Sequence, residues 1–401
     1  MQTPASPLLQ EKNFIAKFQV GDQFVTTQED KHQAALDFYD ALIGSAKHRD
    51  YTLNLHSLGI QQHDLTALYE PFTIEKEWAT VRDLPMDKPP GPDGFTCRFY
   101  KVCWDMIKGD MMEALLAVQR GHVFKFSLLN SAFITLFPKK VDALQVKDYI
   151  LISLIHSFAK LVAKLLANWL APPLPNLVSI NQSAFVKQRS IQENFLVQQL
   201  VRTLHSKREP HILLKLDISK AFDSISWSFL LELMQFLGFS GKWCNLVSLL
   251  LSTSSTRILI NGEPGGCFTH HHGLRQGDLL SPVLFILPIA FQQAKHHVSF
   301  YANDVVLFPC HSRPDVLMVS HLLDIFGHAT GLKTNIARSS VTPIQCGDEK
   351  LVAISDLLPC EIKNFRCSYL GLPLSIRKPT NAELLPLTKC LINCQDGKQR
   401  S

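Results

Sequence analysis

Between His211 and Ser219 the chain alternates strictly, with Ile212, Leu214, Leu216 and Ile218 on one side and Leu213, Lys215 and Asp217 on the other. Period two predicts a β-strand that carries Lys215 and Asp217 on the same face, the carboxylate near its end. Well downstream, two β-rich runs, Val298 to Tyr301 and Val305 to Phe308, flank Ala302-Asn303-Asp304. That arrangement predicts a hairpin with polar residues at its tip. Ahead of the strand, Ser190 followed by Glu193 makes a capping box, and Phe195, Leu196, Leu200 and Leu204 recur at helical spacing, which predicts a helix over 190–207. Helix, strand and hairpin in this order point to the α+β class.

A chain of 401 residues, 46% hydrophobic and 19% charged, can bury a sizeable core; at roughly 150 residues per domain it divides into two or three units. The net charge of +5 permits a polyanionic partner without demanding one. Ten cysteines lie from Cys97 onward with no Cys-x-x-Cys pair, which argues for reduced thiols in a nuclear or cytoplasmic setting. The first residues, with Glu11, Lys12 and Lys17, do not read as a signal peptide. The longest apolar run, Leu279 to Phe291, is broken by Ser281, Pro282 and Pro288 and falls short of the roughly 20 residues a membrane helix needs.

Glu29 to Leu42 has the apolar spacing of a helix, through Ala34, Ala35, Phe38, Tyr39 and Leu42, but residues 1–78 carry no recognisable chemistry. Lys88-Pro89-Pro90-Gly91-Pro92-Asp93-Gly94 reads as a rigid turn. The run His270-His271-His272, with His296-His297 further on, lacks the second ligand cluster that a metal centre needs.

Paired carboxylates brought together from distant segments suit phosphoryl transfer, in which two divalent cations about 3.5 to 4 Å apart activate the attacking hydroxyl and hold the leaving phosphates. Such hard cations take oxygen ligands. Taken singly, Asp217 is an ordinary strand-end carboxylate and Asn303-Asp304 is ordinary turn chemistry.

The pieces in their order decide more. From Lys88 to Leu374 the chain resembles the reverse transcriptases of non-LTR, LINE-type retrotransposons, those of plants especially. The matching stretches are Lys88 to Phe95, Phe137 to Lys140, Asp148 to Leu154, Asn181 to Ser190, Lys215 to Trp227, Gly273 to Phe285, Tyr301 to Phe308, Gly331 to Asn335 and Tyr369 to Ile376. Gly-Leu-Arg-Gln-Gly-Asp at 273–278 and Lys-Ala-Phe-Asp at 220–223 are the most specific.

The resemblance implies a right-hand polymerase fold: a lead-in over 1–78, fingers over 79–190, a palm over 191–320, and a truncated start of a thumb or connector over 321–401. It implies an RNA-directed DNA polymerase that uses two Mg2+ ions, an RNA template, a DNA primer and deoxynucleoside triphosphates. Asp217 and Asp304 would bind metal, with help from the Ile218 carbonyl, and Asn303 stands at the remaining catalytic position. Phe222 would gate against the ribose 2′-hydroxyl, and Arg275 and Gln276 would lie near the incoming nucleotide. Tyr301 would support the primer end, and Lys139, Lys140, Lys187 and Arg189 would meet primer or template phosphates.

Three departures set this chain apart from that family. Asn303 replaces the first of two adjacent aspartates, and losing one unit charge about 4 Å from another is worth on the order of 4 kcal/mol at an effective dielectric near 20. Even half of that lowers activity more than about tenfold. Ile150-Leu151 stand where Arg-Pro is usual, and the stretch from Phe285 to Tyr301, including Gln292 to His297, is shortened. The resulting expectation is a partial or degenerate copy with impaired polymerase activity. The rival is a catalytically silent palm-fold protein that only binds nucleic acid.

Overall fold

The computed structural model describes residues 14–46, 48–86, 88–121, 125–189, 195–288, 298–347, 356–365, 367–370 and 372–377. In chain order the strands are β1 (Phe18–Val20), β2 (Gln23–Val25), β3 (Ser131–Pro138), β4 (Tyr149–Ile155), β5 (His211–Asp217), β6 (Ser255–Ile260), β7 (Glu263–Thr269), β8 (Val298–Tyr301), β9 (Asp304–Leu307), β10 (Ser340–Ile344), β11 (Glu361–Ile362), β12 (Cys367–Tyr369) and β13 (Leu372–Leu374). Helices intersperse them, and the class is α+β, as the sequence implies. The chain forms two compact units, the first from residues 1–55, 61–177 and 220–288, the second from 56–60, 178–219 and 289–401.

The first unit is built on a four-stranded sheet in the order β4-β3-β6-β7, in which β3 runs antiparallel to β4 and parallel to β6. Ile134, Leu136, Tyr149, Leu151, Ile258, Ile260 and Phe268 turn one face of it into a core. Ile15, Phe18, Ala35 and Tyr39 close that core, so the segment after Phe14 is integral to the unit. Its helix, Gln28–Tyr39, starts where Thr27 accepts from the Asp30 N–H at 3.1 Å, and it ends in a wide turn over Asp40–Gly44.

The helix Ser157–Leu170 is buried nearly all round, as its run of Leu, Val and Ala dictates. Its first N–H groups need an acceptor, and the Asp93 carboxylate of the proline-glycine turn supplies one to the Ser157 N–H at 2.9 Å. The same carboxylate accepts from the Ser157 hydroxyl, which also meets the Tyr100 hydroxyl at 2.6 Å. A Cβ at Gly91 would collide with the Ile155 carbonyl, so only glycine lets this turn dock so closely.

In the second unit the sheet order is β11-β10-β5-β9-β8, which makes β5 a central strand. Ile212, Leu213, Leu214 and Leu216 are all buried, so both faces of β5 are covered. The helix Phe195–Ser206 packs Val197, Val201 and Leu204 against Leu213, Val306, Phe308 and Ile344, and the β12–β13 hairpin adds Tyr369 and Leu374. The capping positions Ser190 and Glu193 fall outside the described residues, as do Gln292 to His297. The strand stops two residues before the predicted Ser219, because Ile218 instead donates its N–H to the Asn303 carbonyl and bridges to Thr334.

Glu77, in the helix Ile74–Asp83, is fully buried and neither carboxyl oxygen has a hydrogen-bond partner among the described residues. Burial pushes its acid up to about 7 from an ordinary value of 4.5. The folded state therefore binds this proton more tightly than the unfolded chain. Its cost to stability is absent below about pH 4.5, grows as pH rises, and is fully present above about pH 7. Glu77→Gln removes the titration, and urea unfolding should find it stabilised by about 1–2 kcal/mol more at pH 8 than at pH 5, with partial solvent screening included. A difference that does not change with pH would sink the assignment.

Candidate active site

Asp217 ends β5, and Asp304 begins β9 directly opposite it in the antiparallel ladder. The hairpin forms as predicted, one residue earlier on its second strand: Tyr301 pairs with Asp304, and Ala302 and Asn303 make the loop. Ala302 adopts φ 51°, the left-handed conformation that tight hairpins require. Asn303 turns its side chain back, donating from Nδ2 to Asp217 Oδ1 at 3.2 Å. The second oxygen of Asp217 accepts from Asn335 Nδ2 at 3.3 Å. Both oxygens of the carboxylate thus face amide donors.

Asn335 binds the same residue through its backbone, with its N–H on the Asp217 carbonyl at 2.7 Å. Ser339 completes the clamp: its hydroxyl accepts from the Asp217 N–H at 3.3 Å and donates to the Asn335 carbonyl at 2.7 Å. Asp304 is half-buried; burial raises its pKa, Lys215 opposes that, and the like charge of Asp217 adds to it.

Gln182 holds the other side of the hairpin. It is fully buried, and its Oε1 accepts from the N–H of Ala302 at 3.2 Å and of Ala184 at 3.0 Å. Arg189 secures that segment by donating to the carbonyls of Ser179 and Gln182 at 2.6 and 2.7 Å. Its guanidinium is thereby engaged by the protein, whereas Lys187 is exposed. Neither Gln182 nor Asn335 has a role assigned from the sequence. Each lies in a stretch that matches the family pattern, which was the available signal, but no local rule connects a glutamine to a hairpin 120 residues away.

The first unit brings together Phe222, Arg275 and Gln276. The loop 273–278 locks onto the segment that carries Phe222: Leu274 N–H donates to the Phe222 carbonyl at 2.6 Å, Gly273 N–H to the Ile225 carbonyl at 2.8 Å, and Trp227 Nε1 to the Gly273 carbonyl at 2.6 Å. Gln276 donates to Asp223 Oδ1 at 3.0 Å. That bond, with Lys220 and Lys139, opposes the rise in the Asp223 pKa that burial causes. Phe222 is half-buried and stacks on Phe285, centroids 4.4 Å apart. Arg275 is 7% exposed and directs its guanidinium to the Asn130 carbonyl at 3.1 Å, to Asn130 Oδ1 at 2.5 Å and to Asp278 at 3.3 Å. Its contacts are those of a buried staple for the loop.

Lys139 and Lys140 sit at the turn between β3 and β4, where Lys140 pairs with Asp148 at 3.1 Å and Lys139 caps the Lys147 carbonyl at 3.0 Å. Ile150, at the position where arginine is usual, is exposed on β4. His270 is buried against Thr256 at 2.8 Å and pushed down to about 3, first by burial, so it stays neutral. Among the described residues no three His, Cys, Asp or Glu side chains gather as a metal site, and no helix is long and apolar enough to cross a membrane.

Asp217 and Asp304, set opposite each other in the ladder, are oxygen donors of the kind hard divalent cations take. In charge, two carboxylates balance one such cation; the amide of Asn303 adds none toward a second. The donors fit the metal in kind and fall short of a pair in charge.

A family model described as reverse transcriptase (RNA-dependent DNA polymerase) matches residues 137–374, more than half of the 401. The chain belongs to that family, and with membership comes the right-hand polymerase fold. Among curated relatives, the "Transposon TX1 uncharacterized 149 kDa protein" of Xenopus laevis is 25% identical over 348 residues, covering 81% of this chain and 26% of that protein. The "Retrovirus-related Pol polyprotein from type-2 retrotransposable element R2DM" of Drosophila melanogaster is 25% identical over 290 residues, covering 66% and 26%. A Pol polyprotein from a type-1 R2 element of Popillia japonica is 25% identical over 220 residues, covering 54% and 30%. The chain spans about a quarter of the length of the first two. Reverse transcriptases as a family use divalent metal ions.

Gly273 combines φ 76° with a Cβ position 2.7 Å from the Asp223 carbonyl oxygen. Gly273→Ala should lower stability by about 2 kcal/mol or more, read as a fall in the unfolding midpoint. An unchanged midpoint would contradict the interlocking of the two motifs.

Proposed function

We propose that this chain is the RNA-directed DNA polymerase domain of a non-LTR retrotransposon protein, with its metal site weakened by Asn303. The observation that carries the proposal is the ladder pair of Asp217 and Asp304 with the Asn303 amide turned onto Asp217. In this reading Asp217, Asp304 and the Ile218 carbonyl hold Mg2+. When bound, the cations supply activation of the attacking primer 3′-hydroxyl and neutralisation of the leaving phosphates.

The chain's own residues do the positioning. Tyr301 supports the primer end beside the turn. Phe222, five residues beyond Asp217, excludes a ribose 2′-hydroxyl by bulk, and its stacking on Phe285 keeps the ring from yielding. Gln276 lies near the incoming deoxynucleoside triphosphate, its orientation set by Asp223. Lys139, Lys140 and Lys187 meet phosphates of the RNA template and DNA primer, while Arg275 and Arg189 act through the segments they secure. Fingers over 79–190, palm over 191–320 and the start of a thumb beyond 321 remain the domain reading.

One observation favours a rival. Because both oxygens of Asp217 already accept from amides, the turn is satisfied without metal, as a silent nucleic-acid-binding palm would be.

Primer extension on an RNA template with Mg2+ or Mn2+ tests both. The wild type should extend weakly, Asn303→Asp should extend about tenfold faster or more, and Asp217→Ala should not extend. Extension by Asp217→Ala would remove the metal-site assignment, and a wild type as fast as Asn303→Asp would remove the role of Asn303. No product from the wild type with clear product from Asn303→Asp would establish the silent reading.

A further inference from the structure

In the first unit a cavity of about 660 Å³ opens between two helices, Trp104–Gln119 and Gly241–Ser252. Its volume lies within the range of about 300–1,000 Å³ typical of ligand pockets. From the second helix Lys242, Asn245, Leu246 and Leu249 reach it, residues at i, i+3, i+4 and i+7 that share one helical face. From the first come Leu116 and Gln119, with Arg120 at the C-cap. Leu246 is buried, and Leu116 and Leu249 are half-buried, so apolar side chains remain open to the groove from both walls. No carboxylate lines it.

One end of the groove is fixed and charged. The Tyr69 hydroxyl donates to the Gln119 carbonyl at 2.7 Å, and the Gln119 side chain donates to the Glu70 carbonyl at 2.8 Å and accepts from the Phe72 N–H at 3.4 Å. Lys242 Nζ stands 5.4 Å from the centre of the Tyr69 ring, which puts it at the same end as Arg120. Among the described residues neither cation has a carboxylate within 4.0 Å. Glu70, next to Tyr69, is engaged by Lys76 at 2.5 Å, whose hydrogen bond and charge lower its pKa. Ser240 caps the second helix by accepting from the Trp243 N–H at 3.3 Å, and its first turn holds no acidic residue, so the positive end of the helix adds to the charge of Lys242.

A groove between two helices, apolar along its length and cationic at one end, is complementary to an amphipathic helix whose apolar stripe begins beside an acidic side chain. A nucleic-acid strand would need cations along the groove to follow its phosphates, and here they gather at one end. We propose that the groove docks an amphipathic α-helix of a partner protein, with an acidic side chain against Lys242 and Arg120 and apolar side chains one and two turns along set over Leu116, Leu246 and Leu249. The whole groove belongs to the first unit, whereas Asp217, Asn303 and Asp304 belong to the second, so the proposal stands whether or not the carboxylate turn performs chemistry.

The test is fluorescence anisotropy with the full chain and a labelled, alanine-based peptide of about 16 residues, long enough to form a helix, that carries one Glu and, four, seven and eight residues on, Leu. It should bind saturably with a Kd below about 1 mM, and about fivefold more tightly than the same peptide with Gln in place of Glu. Arg120→Gln with Lys242→Gln should remove that preference, and Leu249→Ala should weaken both peptides about fivefold. Lys207→Gln with Arg208→Gln, an equal loss of charge in the second unit, should leave the preference intact. Should the double variant fail to fold, Lys242→Gln alone, at an exposed side chain, is read in the same way. Absence of saturable binding, or a preference for Glu that survives in the double variant, overturns the proposal. So does displacement of the peptide by a short oligodeoxythymidine whose own binding depends on Arg120 and Lys242, since the groove would then be a nucleic-acid site.

Discussion

Two carboxylates directly opposite each other on neighbouring strands repel, and the second unit is organised so that Asp217 and Asp304 nevertheless stay in that position. The register resists a slip of one residue, because it would carry Asp217 to the side on which Ile212, Leu214 and Leu216 are buried. Neighbouring groups then relieve the charge. Lys215 acts on Asp304 from the next row, and Asn303 and Asn335 donate to Asp217. An aspartate at 303 would add a third negative charge beside these two, whereas the asparagine adds none and donates a hydrogen bond to Asp217.

The first unit shows how two sequence motifs become one object. The Gly-Leu-Arg-Gln-Gly-Asp loop and the Lys-Ala-Phe-Asp segment are bonded through the backbones of Gly273 and Leu274, the Trp227 indole and the Gln276 amide. Arg275 secures the loop from beneath by satisfying both the carbonyl and the side chain of Asn130. An arginine in such a motif invites a role at a phosphate, and its position next to Gln276 in the chain made that reading natural. Neighbouring side chains in an irregular loop can point in opposite directions, and here one reaches Asp223 while the other is enclosed.

Much of the architecture was legible beforehand. The alternation of β5, the hairpin at Ala302-Asn303 and the helix after Ser190 all followed from local periodicity and turn chemistry, with boundaries displaced by one residue on β9 and two on β5. The integration of residues after Phe14 into the first core was not legible, because three-residue strands such as β1 and β2 carry too little pattern to be told from loop. Nor was the use of Asp93 as a helix cap: the proline-glycine segment declares itself a turn, but not what the turn holds.

The sequence by itself determined which elements hold Asp217, Asn303 and Asp304 and where along them these residues stand, since period-two alternation and tight-turn preferences are properties of a few adjacent residues. It also determined the family, because motif order is written along the chain. Only the tertiary structure decided which donor faces which oxygen. Asp217 is separated from Asn303 by 86 residues and from Asn335 by 118, and its two amide contacts exist because the strands that bring them meet in one sheet.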